Sequence, residues 1–319
     1  MADQETPFVR PDVAQFLAFL NAQDGPKMHQ VSPDQARGMM AMVTAIAERP
    51  IGDIARDSRH HVAGPAGPIA LRIFDPRAQR EAGPVMLFFH GGGFVIGNID
   101  IYASYCAEAA RLLDMPVVSA DYRLAPEHPF PAATDDCEAA ARAVAADPAA
   151  LGLNANGLVL SGDSAGGNLT IVTAIALRDH PAALPVLAMH PIYPVVTQSL
   201  DWPSVKQFGE NHVLTAADMA WFTDHYAPTQ GDWRAELLTV DLAGLPPALI
   251  TTASLDPLRD QGVAFATRLR EAGVEVEHRQ AEGTVHGHVT LRGALPSAQA
   301  EVEGNLAALK AMIERQSRL

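Results

Sequence analysis

Cysteine is nearly absent from this 319-residue chain; Cys106 and Cys137 are the whole complement. Two such residues offer no disulfide framework and no metal-ligand spacing, so both read as small apolar side chains on predicted helices. Basic residues are also few, 23 Lys and Arg against 37 Asp and Glu, for a formal net charge of −14. That balance excludes a nucleic-acid binder, which needs clustered cations, and disfavours docking on an anionic membrane. No apolar run approaches the roughly 18 residues of a membrane span, and the longest obvious one, LTIVTAIAL at 169–177, suits a buried helix. The opening residues MADQETPFVR carry acidic side chains early and no basic stretch ahead of an apolar one. This argues against a secretory leader and for a cytoplasmic protein. Internal repeats and low-complexity segments are lacking too.

What the chain has in quantity is core-forming residues. A hydrophobic content of 48% with 19% charged residues is that of an ordinary globular protein, long enough for one large α/β domain or two smaller ones. From about residue 55, strand-like runs alternate with helical stretches. Strands are expected near 69–75, 85–90, 117–121, 157–162, 186–190 and 248–253, with a more alternating one at 274–280 near an edge. Helices are expected near 102–113, 134–147, 165–179, 259–272 and 297–315. This is the α/β pattern, a mostly parallel sheet covered by helices on both faces.

Two regions break the alternation. Residues 1–50 read as two helices, near 11–20 and 33–47, the second carrying Met39, Met40 and Met42. Residues 195–230 hold Trp202, Phe208, Trp221 and Phe222 but no strand. The two regions pack either together as a lid over the mouth of the sheet or as ordinary peripheral helices. The chain therefore divides into cap helices at 1–50, a first part of the core at 51–194, a cap insertion at 195–230 and a second part of the core at 231–319.

Four local patterns carry chemistry. Residues 157–168, GLVLSGDSAGGN, run an apolar strand into Gly162-Asp163-Ser164-Ala165-Gly166 and then into a helix. This is the strand–turn–helix setting in which a Gly-x-Ser-x-Gly serine becomes an exposed nucleophile at a strand end. Small residues two positions either side are needed because the tight turn brings other chain segments close. By itself the motif also fits a glycine-rich turn with Ser164 as a helix N-cap. Upstream, FFHGGGF at 88–94 follows a strand with three consecutive glycines, whose amides can approach a developing oxyanion. Gly92 and Gly93, with the amide of Ala165, are the candidate donors; a phosphate loop is a poor fit, since no Lys-Ser/Thr follows.

The acid and base should follow the nucleophile in the order Asp or Glu, then His. In ALITTASLDPLRD, at 248–260, Asp256 lies just past a strand end, with Pro257 placed to open the next helix. Asp260 falls inside that helix and is the weaker candidate. Chain order leaves His278, His286 and His288 as bases. His278 sits in a predicted strand, whereas His286 lies in the loop EGTVHGH ahead of Gly287, which frees the turn to present the ring. His286 is preferred over His288. His90 and His190 precede any plausible acid and read as holding local backbone.

These contexts together resemble the hormone-sensitive-lipase-like family of esterases, in its bacterial branch with a Gly-Asp-Ser-Ala-Gly elbow. The segment DYRLAPEHPFPA at 121–132 and the acid context DPLRD are similar to the family's as well. The resemblance covers about residues 60–290. It implies an α/β-hydrolase fold with an eight-stranded sheet and a helical cap, and cofactor-free hydrolysis of short- to medium-chain carboxylic esters through an acyl-enzyme. In that mapping Ser164 is the nucleophile, His286 the base, Asp256 the orienting acid, and Gly92, Gly93 and Ala165 the oxyanion hole, with no metal. An amidase or thioesterase on the same groups, or a non-catalytic receptor with a hydrolase fold, are the competing readings. The partner expected is a small ester, with no nucleic acid and no membrane. A homodimer paired along strand 274–280 follows from its edge pattern and the family. Two departures stand out. Gln261 takes the place of a frequent glutamate, which reads as a change of helix surface. His288 replaces a common phenylalanine, which places a polar ring near the base.

Overall fold

The computed structural model describes residues 7–316. The leader reading therefore rests partly on residues outside the described ones, as do the outer ends of the 1–50 and 231–319 segments. The core is one eight-stranded sheet in the order β1-β2-β4-β3-β5-β6-β7-β8. Its strands are β1 Arg56–Gly64, β2 Gly67–Asp75, β3 Gly83–Phe89, β4 Val117–Asp121, β5 Ala155–Asp163, β6 Val186–Ile192, β7 Ala248–Leu255 and β8 Val276–Val285. Strand β2 runs antiparallel to both neighbours, and every pairing from β4 to β8 is parallel.

Strand β1 is the one the sequence did not yield. Its residues RDSRHHVAG alternate half-buried and exposed along an edge, so no apolar run marks it, and it is defined by its antiparallel register with β2. The last strand does lie at the opposite edge, but runs to Val285, further than 280.

Period-two alternation explains the two helical layers. In β3, Val85, Leu87 and Phe89 face one core with α4 Ala132–Ala146, α5 Ala165–Asp179 and α8 Arg259–Glu271. Met86 and Phe88 face the other, with α3 Ala103–Leu113 and α9 Pro296–Gln316. Both faces of this central strand are fully buried, which is why its sequence is apolar throughout. Cys106 and Cys137 are free and buried, one in each layer.

The segments outside the alternation are helical. Helix α1 is Pro11–Asn21, and α2, Pro33–Ala47, starts with a capping box in which Ser32 and Gln35 exchange side-chain and backbone bonds. Helices α6 Pro203–Phe208 and α7 Ala216–Tyr226 form the 195–230 region. A third apolar cluster joins Val13 and Leu17 of α1 and Phe208 of α6 to Leu255 and Val285, the last residues of β7 and β8. Both irregular segments are thus seated at the carboxyl end of the sheet. Among the described residues no helix is long and apolar enough to cross a membrane.

Candidate active site

Strand β5 ends at Asp163 and α5 begins at Ala165, so Ser164 is the whole turn between them. Its backbone sits at φ 56°, ψ −118°, a conformation that costs a non-glycine residue roughly 1–3 kcal/mol and persists only where its surroundings impose it. The surroundings do so. The Ser164 amide donates to Ile192 O at the end of β6, and its carbonyl accepts from Asn168 and Val195. A Cβ on Gly166 would fall 1.9 Å from Phe89 O, and one on Gly162 2.3 Å from Gly166 O, which is the steric demand expected of the motif. The side chain of Ser164 makes no helix-capping bond. Instead its Oγ lies 2.9 Å from His286 Nε2.

Register brings the other two groups together. Parallel strands β7 and β8 pair Leu255 with Val285, so Asp256 and His286, the next residue on each, emerge side by side. His286 Nδ1 is 2.8 Å from Asp256 Oδ2, while Asp256 Oδ1 accepts the Leu258 amide at 2.8 Å. Gly287 follows at φ 74°, the left-handed turn anticipated for presenting the ring. Asp256 is fully buried, and Ser164 and His286 are each 7% exposed. Pro257 does not open α8, which starts at Arg259; the proline lies in the turn before it.

The glycine loop borders the same space. Gly92, Gly93, Ser164 and His286 line one cavity of about 1330 Å³, while Ala165 is fully buried at the start of α5 directly behind the serine. Gly92 O accepts the amides of both Val95 and Ile96, closing a tight turn, and a Cβ on Gly92 would fall 2.2 Å from Ile96 O. The cavity wall is mainly apolar: Phe16, Met28, Met39, Met40, Met219 and Phe222 come from the two irregular segments. Among the described residues, no group of three or more His, Cys, Asp or Glu is disposed to hold a metal ion.

Asp163, to which the sequence reading gave no role, proves central. It is buried, and Oδ1 accepts the Gly91 amide at 2.7 Å. Oδ2 accepts the hydroxyls of Tyr102 at 3.0 Å and Tyr193 at 3.3 Å. Burial pushes its carboxyl up to about 6, against the opposing pull of the Tyr102 hydroxyl and the His286 ring. Tyr193 directly follows β6, with its ring 4.6 Å from that of His286. The motif gives only an aspartate in a turn; its donors come from residues 30 to 72 positions away.

The remaining candidates lie elsewhere. Asp260 Oδ2 accepts the Ser204 amide, tying α6 to α8. His278 bonds Thr252 within the sheet. His90 Nδ1 meets Gly91 O, and His190 Nε2 meets Thr251 Oγ1; burial lowers their pKa values to about 4 and about 3, so both are neutral. His288 is fully buried, with Nδ1 on Val285 O and its ring edge-on to Tyr193, and burial lowers its pKa to about 4. It packs behind the site and is not part of the cavity lining. Gln261 is a clear correction. It is no helix-surface residue but fully buried, its carbonyl accepting the amides of Val196 at 2.8 Å and Thr197 at 3.2 Å.

Known proteins share this fold. A family model described as alpha/beta hydrolase fold matches residues 86–290. The chain is similar to Esterase LipI of Mycobacterium tuberculosis, 39% identical over 79% of this chain and 81% of that protein. It is also similar to an ethyl acetate hydrolase of Pseudomonas putida, 33% identical over 91% of this chain and 95% of the relative. Among solved structures, a thermostable esterase from Pseudomonas putida superposes with a TM-score of 0.90 at 29% identity, covering 97% of this chain and 98% of the other. An ester hydrolase from the metagenome of Lake Arreo, complexed with a derivative of bipyridine phosphonate, gives 0.90 at 34% identity, covering 95% and 98%.

Proposed function

The chain belongs to the alpha/beta-hydrolase family of esterases similar to hormone-sensitive lipase, and from that premise we propose that it is a serine carboxylesterase acting on short- to medium-chain esters through Ser164, His286 and Asp256. The observation that carries this is the buried run of hydrogen bonds, 2.9 Å from Ser164 Oγ to His286 Nε2 and 2.8 Å from His286 Nδ1 to Asp256. With Nδ1–H donated to Asp256, Nε2 is left as the acceptor that a nucleophilic hydroxyl requires.

The reaction then takes two steps. His286 Nε2 takes the Ser164 proton as Oγ bonds to the ester carbonyl carbon, and the carbonyl oxygen becomes an oxyanion facing the amides of Gly92, Gly93 and Ala165. As that intermediate collapses, the C–O bond to the alcohol breaks and the imidazolium gives its proton to the departing oxygen. Water repeats the sequence on the acyl-enzyme, releasing the acid and restoring Ser164. Asp256 fixes the tautomer and stabilises the imidazolium. Asp163 holds Gly91, the residue next to the donor glycines. The residues of 7–50 and 195–230 form the cap, whose methionines give an adaptable apolar wall suited to varied acyl groups. A cytoplasmic location and a homodimer along β8 complete the proposal; a mass near 34 kDa in light scattering would remove the dimer.

The test is turnover of p-nitrophenyl acetate, butyrate, octanoate and palmitate by wild type and Ser164→Ala. Activity on the shorter esters, lost in the variant, is the expected result. No Ser164-dependent turnover on any of them would reject the esterase and favour matched amide or thioester substrates, or a receptor.

A further inference from the structure

The loop that would hold the oxyanion is gripped from the cap. Phe222 of α7 lies with its ring directly on Gly93: a Cβ there would fall 2.2 Å from Phe222 Cγ and 2.3 Å from Cδ1. One turn later on the same helix, Tyr226 stacks on Phe94, ring centroids 3.8 Å apart and planes 8° from parallel. Gly93 and Phe94 both have positive φ, 59° and 64°, a conformation that Phe94 as an L-residue holds only under constraint. From the other cap segment, Arg37 of α2 donates Nε to Val95 O at 2.9 Å and Nη2 to Ala125 O at 3.0 Å. The Ala125 amide in turn donates to Phe94 O at 2.9 Å. Three consecutive loop residues, 93 to 95, are thus contacted by two cap helices in addition to the core, which also holds the start of the loop through Asp163 on Gly91 and the Tyr122 hydroxyl on His90 O.

We propose that Phe222, Tyr226 and Arg37 are positioning residues that set the oxyanion loop, so that the cap assembles the oxyanion hole in addition to covering the substrate. The inference rests on the esterase reading above. Oxyanion donors act only when held within a few tenths of an ångström of the developing charge, and a displacement near 1 Å costs about 100-fold in rate. A ring removed from Gly93 leaves a strained loop with one wall missing. The consequence is a loss in kcat at nearly constant KM, because the ground-state ester does not need these donors as the tetrahedral species does.

The experiment compares wild type, Phe222→Ala, Tyr226→Leu, Tyr226→Phe and Ser164→Ala on p-nitrophenyl butyrate. Each is also titrated with an alkyl trifluoromethyl ketone, to which Ser164 adds to give a bound oxyanion. Expected for Phe222→Ala and Tyr226→Leu is a fall of about 10- to 100-fold in kcat, KM within about threefold, and a ketone Ki raised by the same factor as kcat/KM falls. Tyr226→Phe should restore wild-type values, since the ring stacks without its hydroxyl, which is buried with no hydrogen-bond partner among the described residues. Partial misfolding would lower kcat through the active fraction but leave Ki unmoved. An unmoved Ki, or an unchanged kcat in both ring-removing variants, overturns the proposal. Absence of Ser164-dependent turnover in wild type would overturn the esterase reading itself, a result these ring variants cannot mimic.

Discussion

Replacing Asp163 by asparagine should make the protein gain stability relative to wild type as pH rises, and make it a poorer enzyme. The native carboxyl is pushed up to about 6 from 3.8, mainly by burial. The folded state therefore holds the proton more tightly than the unfolded one. The stabilisation this gives is complete below about 3.8 and is lost as pH rises through about 6. A shift of that size is about 3 kcal/mol at neutral pH. Asparagine does not ionise, so the stability of Asp163→Asn relative to wild type should rise by about 2.5 kcal/mol between pH 4 and 8, roughly half of it above pH 5. Hydrogen-bond losses independent of pH displace both ends equally and leave this slope intact. Urea unfolding of both proteins across that range, with midpoints and slopes fitted together, measures it. Activity should move oppositely. An amide oxygen is a weaker acceptor for Gly91 N–H than a carboxylate, and the negative charge facing the His286 imidazolium is gone, so kcat should fall about tenfold. A stability difference flat with pH would refute the reasoning, as would unchanged kcat.

Further outcomes follow from the same contacts. Asp256→Asn should keep the fold and lower kcat by on the order of 10⁴-fold, because an amide can hold the wrong imidazole tautomer; single-turnover kinetics with p-nitrophenyl butyrate measure it. Gln261→Ala strands the buried amides of Val196 and Thr197 and should cost about 2–4 kcal/mol in urea unfolding. Wild-type stability should fall steeply below pH 6.5. His90, His190 and His288 are held neutral with pKa values lowered to about 4, 3 and 4, so as pH drops the unfolded chain takes protons the native one refuses. Each ring removes about 3 kcal/mol or more by the time pH reaches its native value. A His288→Phe variant with the same acid sensitivity as wild type would contradict this. Gly166→Ala, with its Cβ 1.9 Å from Phe89 O, should fail to accumulate as folded protein, read by soluble yield and circular dichroism.

The sequence by itself determined what is local or ordered along the chain. Apolar runs such as VMLFF had to be buried on both faces, and the pattern of strands and helices followed within a few residues, down to α5 at 165–179. The elbow around Ser164 could be read because its glycines and its strand–helix setting lie within one short stretch. Asp256 stood out because it lies just past an apolar strand, and His286 because chain order and the glycine after it single out that loop. What escaped depended on partners distant in the chain. Strand β1 became a strand only by pairing with β2 at an exposed edge. Gln261 looked like surface because helix periodicity does not tell which segment folds onto that face; the chain at 196–197 does. Asp163 gained its role from Gly91, Tyr102 and Tyr193, and the glycine loop is held by Arg37 and Phe222, more than 50 residues away on either side. A hydrogen bond or ring contact across such separations leaves no periodicity in the sequence. Only the packed tertiary structure decides which donors meet which acceptors, and how closely the groups around Ser164 are held.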